Sequence, residues 1–347
     1  MEWTNNQPNK YVSFWLLGLW VTALAASAGA TTSIELVSRV DGTPPLESGP
    51  NRGSFSWVSI TEDGQFIAVS SDATNLSPED TNGIADVFVY SRASGSLELV
   101  SAGGNGASSW PDISDDGRIV AFHSDANNLT SGDTNSSTDI YVLNRDTGIT
   151  RLVTPGGNAQ SAFPRLSGNG RFVAFTSNAN NLGVTDVNGF SDVYVYDLET
   201  ESMDLLTAGA NGLSWRPSIS EDGRFVAFAS LASDLVPGDV NNNEDIFVHD
   251  RNTDTIQRLT SGANGGSGWP SISGDGRYVV FESTANNLVA GDFNNRSDIF
   301  LFDRDTNTTE LITVGSDGNS GDAWISADGS FITFSTCLLY TSDAADE

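Results

Sequence analysis

Lysine, cysteine and histidine are nearly missing from this chain of 347 residues: Lys10 is the only lysine, Cys337 the only cysteine, and His123 and His249 the only histidines. A single thiol excludes a disulfide framework. The two histidines lie in different segments of the chain, at no metal-ligand spacing from one another, His123 after a second strand of its segment and His249 in a third. No G-x-S-x-G elbow, H-E-x-x-H pair or P-loop is present. Positive charge is scarce in general, with 16 basic against 45 acidic residues and a formal net charge of −29. That surface repels phosphate backbones and anionic lipid, so neither nucleic acid nor an anionic membrane face is expected as a partner, and a soluble monomer is. The acids are abundant, yet nothing singles out two of them as a glycosidase pair. The sequence therefore shows no assembled catalytic site, and no enzyme activity is expected of these residues.

The ends stand apart from the rest. Lys10 precedes one short apolar stretch, Val12–Ala26, followed by small residues at Ala26-Ser27-Ala28 and Ala28-Gly29-Ala30. A basic residue, a short apolar core and an A-x-A site make residues 1–30 a predicted secretory signal peptide, with a mature start near Thr31 and a periplasmic or extracellular location. The apolar core is short for a membrane span, so no membrane insertion is expected after cleavage. At the other end, CLLYTSDAADE (residues 337–347) breaks the pattern in mid-strand and resembles the translation of a sequencing adapter. The natural reading frame is expected to leave the sequence at about Thr336.

Between these ends, residues 31–336 repeat. The pair Asp63-Gly64 returns as Asp116-Gly117, Asn169-Gly170, Asp222-Gly223, Asp275-Gly276 and Asp328-Gly329, a constant step of 53 residues (116 − 63 = 53). In the fourth copy, Pro217–Ser220 ends a first strand, and Asp222-Gly223 reads as a two-residue type I′ hairpin turn. Phe225–Ala229 and Asp245–Val248 are continuous apolar runs, as expected of strands covered on both faces. Ile256–Thr260 alternates and suits an outer edge. Four short strands per unit, no helix signal and a period near 50 predict an all-β fold, a six-bladed β-propeller of four-stranded blades. Ile34–Ser38 matches the fourth strand Leu97–Ser101 but precedes every complete unit, so it is expected to close the last blade.

The unit PSISEDGRFVAF…DIFVHDRNT resembles the TolB-like propeller repeats, also described as WD40-like (PD40), over roughly Ser33–Thr336. The Gly-His and Trp-Asp pairs of true WD40 repeats are absent. The resemblance implies a periplasmic or extracellular protein that presents loops around a central channel to a protein or glycan ligand, without catalysis. Prolyl-oligopeptidase-like proteins place a hydrolase domain after a similar propeller, which makes a truncated hydrolase the alternative.

The loop between the second and third strands carries the most distinctive pattern, D-x-N-x-x-x-D. It reads Asp80/Asn82/Asp86, Asp133/Asn135/Asp139, Asp186/Asn188/Asp192, Asp239/Asn241/Asp245 and Asp292/Asn294/Asp298. Hard oxygen donors at the first, third and seventh positions suit calcium, although the bidentate Glu of an EF-hand is absent. The same residues serve equally as Asx-turns that satisfy loop amides and anchor the third strand. Both readings stand at this level. The segments Ala126–Leu129 and Ala285–Leu288 just before these loops read as tight turns with a leucine plug. Trp57, Trp110, Trp215 and Trp269, with Phe163, recur near the start of the first strand and suit packing between blades or an aromatic platform. Arg118, Arg171, Arg224 and Arg277 follow the hairpin turn and are expected to pair with aspartates of an adjacent blade.

Overall fold

The computed structural model describes residues 10–13 and 54–336, and among them every regular element is a strand. The first strand, β1 (Lys10–Ser13), runs parallel to the last. The first blade is β2 (Ser54–Ile60), β3 (Phe66–Ser71), β4 (Asp86–Ser91) and β5 (Leu97–Leu99); the second is β6 (Ser108–Ile113), β7 (Ile119–Ser124), β8 (Asp139–Asn144) and β9 (Ile149–Leu152). The third blade is β10 (Ser161–Leu166), β11 (Phe172–Ser177), β12 (Asp192–Asp197) and β13 (Ser202–Leu205). The fourth is β14 (Ser214–Ile219), β15 (Phe225–Ser230), β16 (Asp245–Asp250) and β17 (Thr255–Arg258). The fifth is β18 (Ser267–Ile272), β19 (Tyr278–Ser283), β20 (Asp298–Asp303) and β21 (Thr308–Leu311), and β22 (Ser320–Ile325) with β23 (Phe331–Thr336) begins a sixth.

Each complete blade is an antiparallel meander in chain order, the arrangement of a six-bladed β-propeller. The strands from β2 up to Pro217 belong to one compact unit, and β1 belongs with those from Ser218 onward to a second. The expected closing strand Ile34–Ser38, most of the expected leader and residues 337–347 lie outside the described residues.

The apolar runs explain the layering. The second and third strands are almost wholly buried, whereas the fourth alternates exposed and half-buried positions, as its outer-edge reading predicts. Within a blade, aromatic rings of the two middle strands stack, as in Phe122 on Tyr141 at 5.8 Å and Phe281 on Phe300 at 5.8 Å. Neighbouring blades in the first unit share cores: Ile113 and Phe122 pack with Val87 and Val89 of the preceding blade.

The Asp-Gly turn departs from the type I′ expectation. The glycines have positive φ, but none of their Asp or Asn partners does. In blade one the Gly64 N–H donates to the Thr61 carbonyl and Thr61 N–H to the Phe66 carbonyl, so the loop spans four residues. Thr61 Oγ1 and Asp63 Oδ1 cap it from within, Asp63 accepting from Gln65 N–H at 2.9 Å. A type I turn closed by a left-handed glycine outcompetes type I′ here because the side-chain caps satisfy amides a two-residue turn would leave open. Glycine has a second use at this position. An added Cβ on Gly117 would lie 2.4 Å from the Phe66 ring of the preceding blade, and on Gly276 2.1 Å from that of Phe225.

Candidate functional site

The five D-x-N-x-x-x-D loops share one construction. The last aspartate opens the third strand and is fully buried in every copy: Asp86, Asp139, Asp192, Asp245 and Asp298. One of its carboxylate oxygens accepts from a hydroxyl that follows the fourth strand, from Ser101 at 2.5 Å, Thr154 at 2.6 Å, Thr207 at 2.5 Å and Thr313 at 2.6 Å, with Thr260 doing the same for Asp245. That hydroxyl in turn accepts the N–H of the residue after the aspartate, as Ile140 to Thr154 at 3.1 Å. The hydroxyls recur at the same 53-residue step, which was the available sequence signal, but sequence reading did not single them out.

The asparagine closes an Asx-turn, as Ile84 N–H to Asn82 Oδ1 at 3.0 Å and Phe190 N–H to Asn188 Oδ1 at 2.8 Å. Its amide donates to the last aspartate (Asn188 to Asp192, 3.2 Å), to the connector into the next blade (Asn135 to Gly157 O, 2.9 Å; Asn294 to Ser316 O, 3.0 Å), or to both (Asn241 to Asp245, 2.9 Å, and to Ala263 O, 3.3 Å). The first aspartate packs beneath the loop: Asp80, Asp186, Asp239 and Asp292 are buried, and Asp133 is half-buried. Burial holds Asp86, Asp139 and Asp245 above the usual carboxylate range and pushes Asp192 up to about 6, against the lowering by their hydroxyl partners. The first aspartate of the same loop adds repulsion in each. The turn-anchoring role of these residues is thus built in hydrogen bonds.

The Ala-Asn-Asn-Leu segments do more than plug. Asn105, in the connector between blades one and two, exchanges bonds with Asn127 and Asn128: its amide reaches Asn127 Oδ1 at 2.8 Å and its N–H reaches Asn128 Oδ1 at 2.9 Å. Asn158 with Asn180 and Asn181, and Asn264 with Asn286 and Asn287, repeat the clasp. The leucine is buried at Leu76 and Leu182 and half-buried at Leu129 and Leu288.

On the first strands the aromatics meet. Trp57 stacks on Trp110 with centroids 3.3 Å apart, and Trp110 meets Phe163 edge-on at 4.6 Å. Counting by 53 from Trp57 gives Trp110, Phe163, Arg216, Trp269 and Asp322, so Arg216 rather than Trp215 is the fourth-blade counterpart. The last five of these positions all have left-handed backbone, with φ between 51° and 58°. The register slips there, between Ser109 and Asp112 in the second blade, which marks a β-bulge that re-aims the side chain. Trp215 instead lines a cavity of about 320 Å³ with Phe163, Thr176, Ser191 and Leu213.

His123 belongs to β7 itself, not to the residues after it, and lies 6.3 Å from Trp110 and 6.4 Å from Phe163. Its Nε2 shares a 2.7 Å hydrogen bond with Ser109 Oγ. Burial pushes the imidazole down to about 4, opposed by Asp125. A folded value below the free one means stability present above about pH 6.5 and lost as the pH falls toward 4. In denaturant titrations, His123→Gln should flatten the pH dependence across that window by about 3 kcal/mol relative to the parent. Parallel curves for the two proteins would contradict the assignment.

The arginines after the hairpin turn pair inside their own blade, not across blades. Arg171 grips Asp197 with two bonds of 3.0 and 2.7 Å, Arg224 grips Asp250 at 2.9 and 2.7 Å, and Arg277 grips Asp303 at 3.0 and 2.8 Å. In blade two the aspartate is replaced by Asn144, and Arg118 turns to Asp116 at 2.7 Å. Pairing within the blade wins because the second and third strands are antiparallel and in direct register, Tyr278 facing Asp303. The guanidinium bonds hold Asp250 and Asp303 down to about 2. A depressed carboxylate contributes stability that is present above about pH 4 and lost as the pH falls through 2. The melting temperature of Asp303→Asn should therefore lie below that of the parent at pH 6 and converge with it near pH 2. A constant gap would show that the pair contributes nothing electrostatic.

No family model and no curated protein matches the sequence. Solved structures do. A structure described as TolB from Agrobacterium tumefaciens matches with TM-score 0.53 and 20% identity over 84% of this chain and 93% of that one. A prolyl endopeptidase matches with TM-score 0.53 and 15% identity over 78% of this chain but 38% of its own. An oligogalacturonate lyase in complex with manganese matches with TM-score 0.52 and 13% identity over 80% and 69%. The protein is a β-propeller. More narrowly, its blades are similar in fold to those of the TolB structure from Agrobacterium tumefaciens, the likeness that the repeat resemblance implied.

Proposed function

We propose that this chain is a secreted or periplasmic binding propeller, monomeric and without catalysis of its own, that contacts a protein or glycan ligand. The observation that carries this reading is the row Trp57–Trp110–Phe163 on the first strands, half-buried rather than sealed, beside the cavity at Trp215 and Leu213. Stacked rings with exposed edges bind sugar faces and peptide side chains at little entropic cost. Neither nucleic acid nor membrane lipid suits a surface of net charge −29. A glycan array and a pull-down from envelope and secreted fractions would identify the ligand. Trp110→Ala should then weaken binding at least about tenfold. An array and a pull-down that both return nothing would overturn the reading.

A second reading is favoured by the prolyl endopeptidase match, which spans only 38% of a longer chain. Here the chain would be the propeller portion of a hydrolase. The complete gene decides: a hydrolase domain after the sixth blade supports this reading, and a stop codon soon after that blade dismisses it.

A further inference from the structure

The loop carboxylates are not all satisfied by the protein. In blade one both oxygens of Asp80, which is 8% exposed, and Oδ2 of Asp86, which is 0% exposed, have no hydrogen-bond partner. In blade three the same holds for Asp186 Oδ2 and Asp192 Oδ2, and in blade five for Asp292 Oδ1 and Asp298 Oδ2. Two buried carboxylates facing one loop with orphaned oxygens are costly unless a positive charge lies between them.

Blade four shows what that charge looks like when the protein supplies it. Arg258 Nη1 lies 2.6 Å from Asp239 Oδ1 and 3.7 Å from Asp245 Oδ2, and its side chain is only 9% exposed. The guanidinium sits between the first and last aspartates of its own loop. The positions one or more repeats away are Leu99, Leu152, Leu205 and Leu311, so among the five complete blades described only this one carries a cation at this position. Blade two has another device: the Tyr141 hydroxyl lies 2.6 Å from Asp133 Oδ2 and 2.8 Å from Ala126 O, and Asn135 N–H serves the other Asp133 oxygen at 3.2 Å. Of its loop carboxylate oxygens, Asp139 Oδ2 alone is left without a partner. Blades one, three and five have neither the arginine nor the tyrosine contact, since Phe88 and Phe300 replace the tyrosine in two of them and Tyr194 of the third donates to Ala179 O at 3.0 Å. In blade three Asn188 N–H serves only Asp186 Oδ1, at 3.1 Å.

We propose that blades one, three and five each bind a hard divalent cation, calcium by ligand chemistry, between the carboxylates Asp80/Asp86, Asp186/Asp192 and Asp292/Asp298, and that Arg258 is the built-in substitute for that cation in blade four. Oxygen donors alone at the site select calcium or magnesium over softer metals. Among the described residues no three carboxylate, histidine or cysteine side chains converge, so two carboxylates per ion are completed by loop oxygens and water, which suits calcium's flexible shell better than magnesium's strict octahedron.

The test is calorimetric titration of chelator-treated protein with calcium chloride, alongside melting curves with and without the ion. Three equivalents per chain and a melting temperature several degrees higher with calcium are expected. Arg258→Leu should raise the stoichiometry from three to four, and Leu205→Arg should lower it to two while making the protein less dependent on calcium. If Arg258→Leu does not fold, Leu205→Arg still decides. No heat of binding with unchanged melting, or a stoichiometry indifferent to both substitutions, would overturn the proposal.

Discussion

Thr154→Val should destabilise the protein by about 4 kcal/mol, a drop in melting temperature on the order of 10 °C, although it removes one oxygen and almost no volume. The Thr154 hydroxyl serves two buried groups at once, donating to Asp139 Oδ1 at 2.6 Å and accepting Ile140 N–H at 3.1 Å. Asp139 is fully buried and its other oxygen has no hydrogen-bond partner, so the valine would leave the carboxylate without any hydroxyl donor and the amide orphaned as well. A hydrogen bond to a charged group contributes about 1.5–3 kcal/mol, and an orphaned buried amide costs about 1–3. Thr154→Ser keeps the hydroxyl and should stay within about 1 kcal/mol of the parent, since Ser101 performs the same task in blade one at 2.5 Å. Chemical denaturation measures both. A valine variant as stable as the serine one would show that the hydroxyl is not the anchor.

Gly276→Ala should cost about 3–4 kcal/mol, more than any ordinary surface substitution, because two independent penalties fall on one atom. The residue has φ of +72°, where an L side chain is strained, and its added Cβ would lie 2.1 Å from Cδ2 of Phe225, a ring also covered by the Arg304 guanidinium at 4.2 Å. Arg304 further donates to the Gly276 carbonyl, so the turn cannot shift away without breaking that bond. Gly95→Ala separates the two penalties: φ there is +71° but nothing lies within 4 Å of the new carbon. It should cost only about 1 kcal/mol by the same denaturation assay. Equal losses at the two positions would refute the role assigned to the Phe225 contact.

Much of the fold was legible because its cause is local and repeated. The apolar runs at Phe225–Ala229 and Asp245–Val248 became the buried middle strands, and the alternating fourth strand became an edge. Where the reading slipped, a contact distant in sequence decided. Ser114 and Asp116 cap their turn as Thr61 and Asp63 do, and these side chains select a longer loop than the Asp-Gly pair alone implies. Composition alone suggests that the arginines pair across blades, but strand register brings Arg171 to Asp197 in its own sheet. Trp215 was aligned with the other tryptophans by residue type, whereas the period and the left-handed φ of 53° single out Arg216. The loop carboxylates are legible in the sequence as a repeated pattern. What the sequence alone did not reveal is that Ser101 and its counterparts lock the last aspartate, and that Arg258 lies between two others.

The bulge on the first strand has a wider consequence. At this position the backbone, not the side chain, sets the direction of presentation, because the same left-handed geometry holds Trp110, Phe163, Arg216, Trp269 and Asp322. Strain of about 1 kcal/mol or more is met at every one of them whatever the residue is. Side-chain chemistry is thereby uncoupled from folding: indole, phenyl, guanidinium and carboxylate are mounted on interchangeable sockets, one per blade. Such a scaffold can change the chemistry it presents by exchanging residues at these five places without renegotiating its core.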